Sequence, residues 1–305
     1  MIFLTMCPIK RIVPMSSQLH IALYGYFNAG ISAFQSAELL INILRPHCAS
    51  IECFKDFYQK LSCGDDVKSV EIPSDTTDII ISIGGDGAFL HAVSWEGKGK
   101  IPIAGLNGGH LGYLTGWTLK EIDNFAQAII DGNYKIEERS LIEVESESFV
   151  PDFWPYALNE ASILKESSAT MISVKAEKDG MRLTEYDADG LIVSTPTGST
   201  GYNLSVGGPI LEPELQAWVV SPVAAHSLNM RPLVISDTSV LKLSASSRTE
   251  NVMLSLDGRT LVIPCSEPVY LRKAPFKMKV IRKKDATFLA TLREKLYWGL
   301  SKSRS

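Results

Sequence analysis

The stretch Asp78-Ile79-Ile80-Ile81-Ser82-Ile83 constrains this chain more than any other. Its β-branched residues lack the polar alternation of a half-exposed strand. Such a strand is covered on both faces, as in a parallel sheet with helices above and below. Gly84-Gly85-Asp86-Gly87 follows at once, and Phe89, Leu90, Ala92 and Val93 then fit a short helix. Glycines permit a sharp turn and close backbone approach to a ligand. A helix N-terminus offers free N–H groups and partial positive charge to phosphate oxygens. A carboxylate beside phosphate is repulsive unless it holds a metal or accepts a proton. Two readings of Asp86 therefore stay open. One is an acid embedded in a phosphate loop, serving phosphoryl transfer to a hydroxyl. The other is a tight turn in which Asp86 caps the helix.

The segments around this strand alternate in type. Ile21 to Gly25 and Ile51 to Phe54 read as strands, and Ser32 to Leu44 reads as a helix stopped by Pro46. Ile101 to Ala104 reads as the next strand and Leu119 to Ile130 as the next helix. This order predicts an open, mostly parallel α/β domain over residues 1–135. From residue 136 to 283 the strand-like runs follow one another directly, with Asp179-Gly180 and Asp257-Gly258 placed as hairpin turns. That is a β-rich, all-β second domain. Residues 284–305 turn helical again. Phe288, Leu289, Leu292, Leu296, Trp298 and Leu300 form an apolar stripe, predicted to pack back on the first domain.

With 305 residues and 45% hydrophobic content, the chain suits two domains, or one large domain with a second lobe. A net charge of −4 without a long basic run argues against a nucleic-acid binder. Five cysteines, Cys7, Cys48, Cys53, Cys63 and Cys265, show no CxxC spacing. They suggest neither a disulfide framework nor a zinc site, and point to a reducing, cytoplasmic setting. No apolar run is long enough to span a bilayer, so no membrane partner is expected. Met1 to Pro14 makes a poor signal peptide, and Met15, just before the first strand, is the expected natural start.

Further segments carry chemistry. Neither GxxxxGK[ST] nor a GxGxxG after a strand occurs, which argues against a P-loop NTPase or an ordinary dinucleotide dehydrogenase. Asn107 to Tyr113 is a second glycine-rich loop after a strand, where ligand loops gather in open α/β sheets. Asn159-Glu160 interrupts the apolar strand-like run Tyr156 to Ile163. Its amide suits a base edge and its acid suits ribose hydroxyls, although an exposed edge pair is the plainer account. The richest segment runs from Asp189 to Ser205. An apolar strand leads into Thr197, Gly198, Ser199, Thr200 and Gly201, whose hydroxyls and glycines suit a polar ligand. Tyr202 can pack on a base or on the core. His91 stands one further helical turn past Asp86 and can face the same crevice, with a structural role as the alternative.

Taken together, Gly84-Gly85-Asp86-Gly87, Asn107 to Tyr113, Asn159-Glu160, and Asp189 to Ser205 with Gly207-Gly208-Pro209 resemble the NAD kinase family in order and spacing. Ser221-Pro222, Arg231-Pro232-Leu233 and Asp257-Gly258-Arg259 are similar to later segments of that family. Diacylglycerol and sphingosine kinases and phosphofructokinases share a related glycine–aspartate turn. A lipid or sugar kinase, or a non-catalytic NAD(P)-binding sensor, is therefore the alternative. The resemblance implies transfer of the γ-phosphoryl of ATP to the 2′-hydroxyl of the adenosine ribose of NAD, giving NADP, with a divalent metal such as Mg²⁺. It implies Asp86 as general base and Gly87 with its neighbours holding phosphate. It also implies that Asn159, Glu160, Asp189, Thr197 and the run Thr200, Gly201, Tyr202, Asn203, Leu204 and Ser205 bind NAD, with Tyr113 and His91 beside it. A homodimer or homotetramer is implied as well, while metal ligands are not. Two positions depart from the family: Ala88 stands where Thr is frequent, and Gly201 where Ala is common.

Overall fold

In a computed structural model, the protein is described over residues 18–26, 31–109, 112–166 and 171–297. The expected start at Met15, the loop residue His110, and Trp298 and Leu300 of the tail stripe lie outside these residues. The first half runs β1 (Leu19–Gly25), α1 (Ile31–Leu44), β2 (Cys48–Phe54), α2 (Lys55–Tyr58), β3 (Val67–Val70), β4 (Ile79–Ile83), α3 (Asp86–Glu96), β5 (Ile103–Asn107), β6 (Trp117–Thr118) and α4 (Ile122–Ile130). Every residue of β4 is buried, as its β-branched run requires. Helix α1 buries Ala33, Ala37, Leu40, Ile41 and Leu44, one stripe at helical spacing, and turns Leu39 out to solvent. Strand β5 begins two residues later than the sequence suggests. Pro102 has no N–H to give the ladder, and its carbonyl instead accepts from Ile80 N at 3.0 Å.

The second half runs β7 (Tyr134–Glu145), β8 (Tyr156–Ala157), β9 (Glu160–Lys165), β10 (Ile172–Lys178), β11 (Met181–Ala188), β12 (Gly190–Ser194), α5 (Tyr202–Ser205), β13 (Ala217–Val223), β14 (Leu233–Ser236), β15 (Leu241–Ser246), β16 (Asn251–Leu256), β17 (Arg259–Pro264), β18 (Val269–Lys283) and α6 (Phe288–Leu296). Asp179-Gly180 and Asp257-Gly258 both turn hairpins. All four residues have positive φ, which suits the two central positions of a type I′ turn.

Strands β3, β2, β1, β4 and β5 pair in parallel in that order. The order reverses direction between β1 and β4, and in open α/β sheets ligands bind at the carboxyl ends beside such a reversal. The fifteen-residue strand β18 then continues this sheet. Its last residues pair in parallel with β5, and its first ones antiparallel with β15. Hydrogen bonding therefore crosses from the α/β half into the β-rich half, and residue 135 lies inside β7. A second sheet, ordered β14-β13-β12-β9-β16-β17, packs its apolar face on β10 and β15 around Val174, Leu191, Trp218 and Leu243.

The tail helix α6 is capped by Thr287, whose Oγ1 accepts from Ala290 N. It reaches the first half at Tyr113, whose ring centre lies 5.7 Å from Lys295 Nζ, and just before the helix Ala286 O accepts from Lys135 Nζ of β7. Among the described residues no helix is long and apolar enough to cross a membrane.

Candidate active site

The end of β4 shows why the turn is glycine-rich. Gly84 has φ +144°, and a Cβ there would come 2.7 Å from the Ala88 methyl. Gly85 is the N-cap of α3 and supplies no side-chain cap. The helix then begins, with Phe89 N bonded to Gly85 O at 3.1 Å. The N–H groups of Asp86, Gly87 and Ala88 precede the first intrahelical bond, and of these residues Gly87 is exposed. Asp86 does not cap its helix. Its Oδ2 accepts from Tyr113 N at 2.8 Å, and its Oδ1 from Leu114 N at 3.1 Å and Thr115 N at 3.2 Å. Gly112 makes room for it, since a Cβ there would stand 1.9 Å from Asp86 Oδ1. Arg282 of β18 is buried and grips the same segment from the other side, donating to Tyr113 O and Leu114 O. Asp86 is thus fixed in place, while Oδ2 keeps one lone pair for a further donor.

Asn159 and Glu160 lie beside a break between two strands, not inside one continuous strand. Strand β8 ends at Ala157 and β9 begins at Glu160. The N–H groups of Leu158, Asn159 and Glu160 all donate to the carboxylate of Asp257, at 2.6, 2.8 and 3.0 Å. Asn159 Oδ1 and Glu160 Oε2 are buried without a hydrogen-bond partner. Burial, with the Asp257 carboxylate as a second cause, pushes the Glu160 carboxyl up to about 8. Burial likewise raises Asp257, against the opposing pull of its N–H donors and Arg259.

The hydroxyl-rich loop after β12 folds onto this pair. A Cβ on Gly198 would come 2.0 Å from Asn159 O, so only glycine lets the two backbones meet. Thr195 ties them together, its N donating to Asn159 O and its Oγ1 to Leu158 O. The Cα of Gly201 faces the pair, since a Cβ there would stand 3.4 Å from Glu160 Oε2 and 3.6 Å from Asn159 Nδ2. Thr200, Leu204 and Ser205 are at least partly exposed, and Tyr202 is exposed. Asn203 departs from the expected ligand contact. It is fully buried, its Nδ2 donates to Ser199 O and Pro209 O, and its Oδ1 accepts from Ser221 Oγ. Its side chain holds the loop together instead of lining the crevice.

Asp189 is also set apart. It precedes β12, whose other end, Ser194, pairs with Glu160. Five residue steps along the strand separate Asp189 from Ser194, roughly 17 Å. Asp189 pairs instead with Lys165 Nζ at 2.7 Å. His91 is half-buried. Its ring meets Tyr26 edge-on at 5.1 Å, and Tyr26 OH bonds Gly87 O at 3.2 Å. Burial and the nearby Arg259 cation lower its pKa. Tyr113, Thr197 and Thr200 line one cleft of about 750 Å³, shared with Arg139, Asp237 and Lys273. Asp86, Asn159 and Glu160 are not in its wall. The segments that carry them meet through a common buried cluster, in which Phe89, Leu114 and Leu158 pack together.

Sequence reasoning gave Asp257 and Gly112 only as parts of a hairpin and of a glycine-rich loop, and gave Arg282 and Thr115 no role at the site. The sequence signal for Asp257 was present, but as a hairpin turn, and nothing local tells where such a carboxylate points.

Residues 48–134 match the ATP-NAD kinase N-terminal domain, and residues 158–283 match the ATP-NAD kinase C-terminal domain. The chain belongs to the ATP-NAD kinase family. A Porphyromonas gingivalis NAD kinase is 41% identical over 270 residues, which is 88% of this chain and 91% of that protein. An Archaeoglobus fulgidus NAD kinase solved in complex with ATP is 26% identical, with a TM-score of 0.69 over 91% of this chain and 98% of that one. A yeast NADH kinase complexed with NADH shares the fold, with a TM-score of 0.83 at 22% identity over 98% of this chain and 95% of that one.

Proposed function

We propose that this protein is a kinase that phosphorylates NAD with ATP, moving the γ-phosphoryl group to the 2′-hydroxyl of the adenosine ribose to give NADP. The observation that carries the reading is the placement of Asp86. It stands at the first turn of α3, among N–H groups that precede the first intrahelical bond, with one Oδ2 lone pair free. In the reaction, the ribose hydroxyl oxygen attacks the γ-phosphorus as its proton passes to Asp86. The bond from the γ-phosphorus to the bridging oxygen breaks and ADP leaves. Catalysis of this kind depends on positioning and charge neutralisation more than on covalent work by the protein. The α3 N-terminus with Gly87 would hold donor phosphates. Asn159 and Glu160 would accept from, and donate to, the adenosine part of NAD, with Tyr113, Thr197, Thr200, Gly201, Tyr202, Leu204 and Ser205 around it and His91 at the edge.

Mg²⁺ fits this donor set. It binds through one or two carboxylates, phosphates and water, and needs no all-protein cage. The donor phosphates and water would hold the ion, which would neutralise charge on those phosphates, and the free Oδ2 lone pair of Asp86 is left for the ribose proton. In functional terms, residues 1–135 would form the donor-side domain, 136–283 the NAD-side domain and 284–305 the returning helix. A homodimer or homotetramer would be the assembly. The setting would be cytoplasmic, where NAD and ATP are both supplied.

The test is a coupled assay in which NADP formed from NAD and ATP is read by an NADP-specific dehydrogenase. NADP and ADP should appear in equal amounts. Purified, folded protein that forms no NADP at saturating substrates and Mg²⁺ would refute the reading.

A further inference from the structure

We propose that the hairpin Asp257-Gly258-Arg259 is a positioning device that clamps the chain at Asn159-Glu160 and just upstream of it and so presents their unpartnered oxygens to NAD. The proposal rests on the kinase reading above and adds to it residues that need not touch the substrate.

In a strand, successive N–H groups point to opposite sides and cannot converge on one atom pair. Three successive ones do so here, from Leu158, Asn159 and Glu160 to the Asp257 carboxylate. The carboxylate therefore takes this segment out of strand geometry, which is why β8 and β9 are separate. The hairpin makes this possible. Positive φ at Asp257 and Gly258 closes the tight turn, and the Leu256–Ala161 pairing brings the carboxylate back over the start of β9. Arg259 secures the stretch just upstream. Its two terminal nitrogens donate to Trp154 O and Tyr156 O, and its guanidinium lies 5.0 Å from the Trp154 ring centre.

The carbonyls of the same segment are also occupied. Leu158 O and Asn159 O accept from Thr195, and Glu160 O accepts from Asp257 N. With the backbone fully engaged, the segment cannot adjust to bind its own side chains. Asn159 Oδ1 and Glu160 Oε2 remain buried and unpartnered. Such atoms are costly to leave alone, so a ligand's hydroxyl and amine donors are the partners they lack. The charged groups facing this pair are Asp257 and, beyond it, Arg259; Gly201 and the Asn159 amide close the other side.

The experiment compares wild type with Asp257→Asn and Arg259→Gln by steady-state kinetics in each substrate. Asp257→Asn turns one acceptor into an N–H donor facing N–H groups, so the segment loses its anchor. KM for NAD should rise on the order of tenfold or more, with kcat and KM for ATP changed less than about threefold. The pH profile supplies a readout that a purely structural role would not move. KM for NAD should improve as Glu160 ionises. Removing the Asp257 charge should move that improvement to lower pH. An unchanged KM for NAD, or equal losses in KM for ATP and kcat, would overturn the proposal. If Asp257→Asn does not fold, Arg259→Gln decides by the same split between the two KM values. Wild-type protein that forms no NADP removes the kinase reading and this proposal together. An active wild type with an unaffected Asp257→Asn removes this proposal alone.

Discussion

Replacing Gly112 with Ala tests the placement of Asp86 without touching its chemistry. A Cβ at residue 112 would stand 1.9 Å from Asp86 Oδ1 and 2.4 Å from Thr115 Oγ1, and real Cβ atoms stay beyond 3.0 Å. The carboxylate must therefore retreat by about 1 Å, or the 112–115 loop must open. The loop is held on its far side by Arg282, so the carboxylate is the softer partner. A misplacement of about 1 Å in a catalytic group costs up to about 10²-fold, or roughly 2.7 kcal/mol of barrier. The crowding itself should cost about 1–3 kcal/mol of stability, a few degrees in Tm for a chain this long. The assay is NADP formation at saturating NAD and ATP, with a thermal melt alongside. The Gly112→Ala and Asp86→Asn double variant sharpens it. If the methyl acts through Asp86, the double variant should be no slower than Asp86→Asn alone. Gly112→Ala protein with kcat within threefold of wild type would refute the reasoning, as would losses that multiply in the double variant.

Asp86→Asn should still fold and lower kcat on the order of 10²-fold or more by removing the base, with a lower melting temperature because its amide sets a donor against one of the N–H groups that the carboxylate accepts; circular dichroism melts and initial rates check both halves. Gly198→Ala should destabilise the protein and raise KM for NAD, because the methyl would meet Asn159 O at 2.0 Å; denaturant midpoints and NAD titration read the two effects. Glu160 is an acid raised from 4.5 to about 8 in the folded state. Its contribution to stability is full below the unfolded value and is lost as pH rises from about 4.5 through about 8. Glu160→Gln should therefore gain stability over wild type at pH 8 relative to pH 5, and equal differences at both values in urea titrations would count against the buried, protonated carboxyl.

Local sequence carried much of the architecture because burial and turn chemistry are local properties. The β-branched run of β4 announced a strand covered on both faces, and the strand is buried throughout. Asp179-Gly180 and Asp257-Gly258 announced hairpins because few residues tolerate positive φ in succession. The differences are equally specific. A polar amide in a hydroxyl-rich loop looks like a ligand contact, and the Asn203 side chain bonds Ser199, Pro209 and Ser221. The apolar run from Tyr156 to Ile163 reads as one strand, yet a carboxylate nearly a hundred residues later breaks it.

The sequence by itself determined the turn Gly84-Gly85-Asp86-Gly87, the order of the elements and the family, since these depend on residue identity and near neighbours. Only the tertiary structure decided what the carboxylates of Asp86 and Asp257 bond to. An aspartate that caps its own helix or turn and one held by a distant segment look alike in sequence, because the difference lies in which N–H groups their carboxylates meet. Those groups come from Tyr113 to Thr115 for Asp86 and from Leu158 to Glu160 for Asp257, and only the folding of distant strands into shared sheets brings them there.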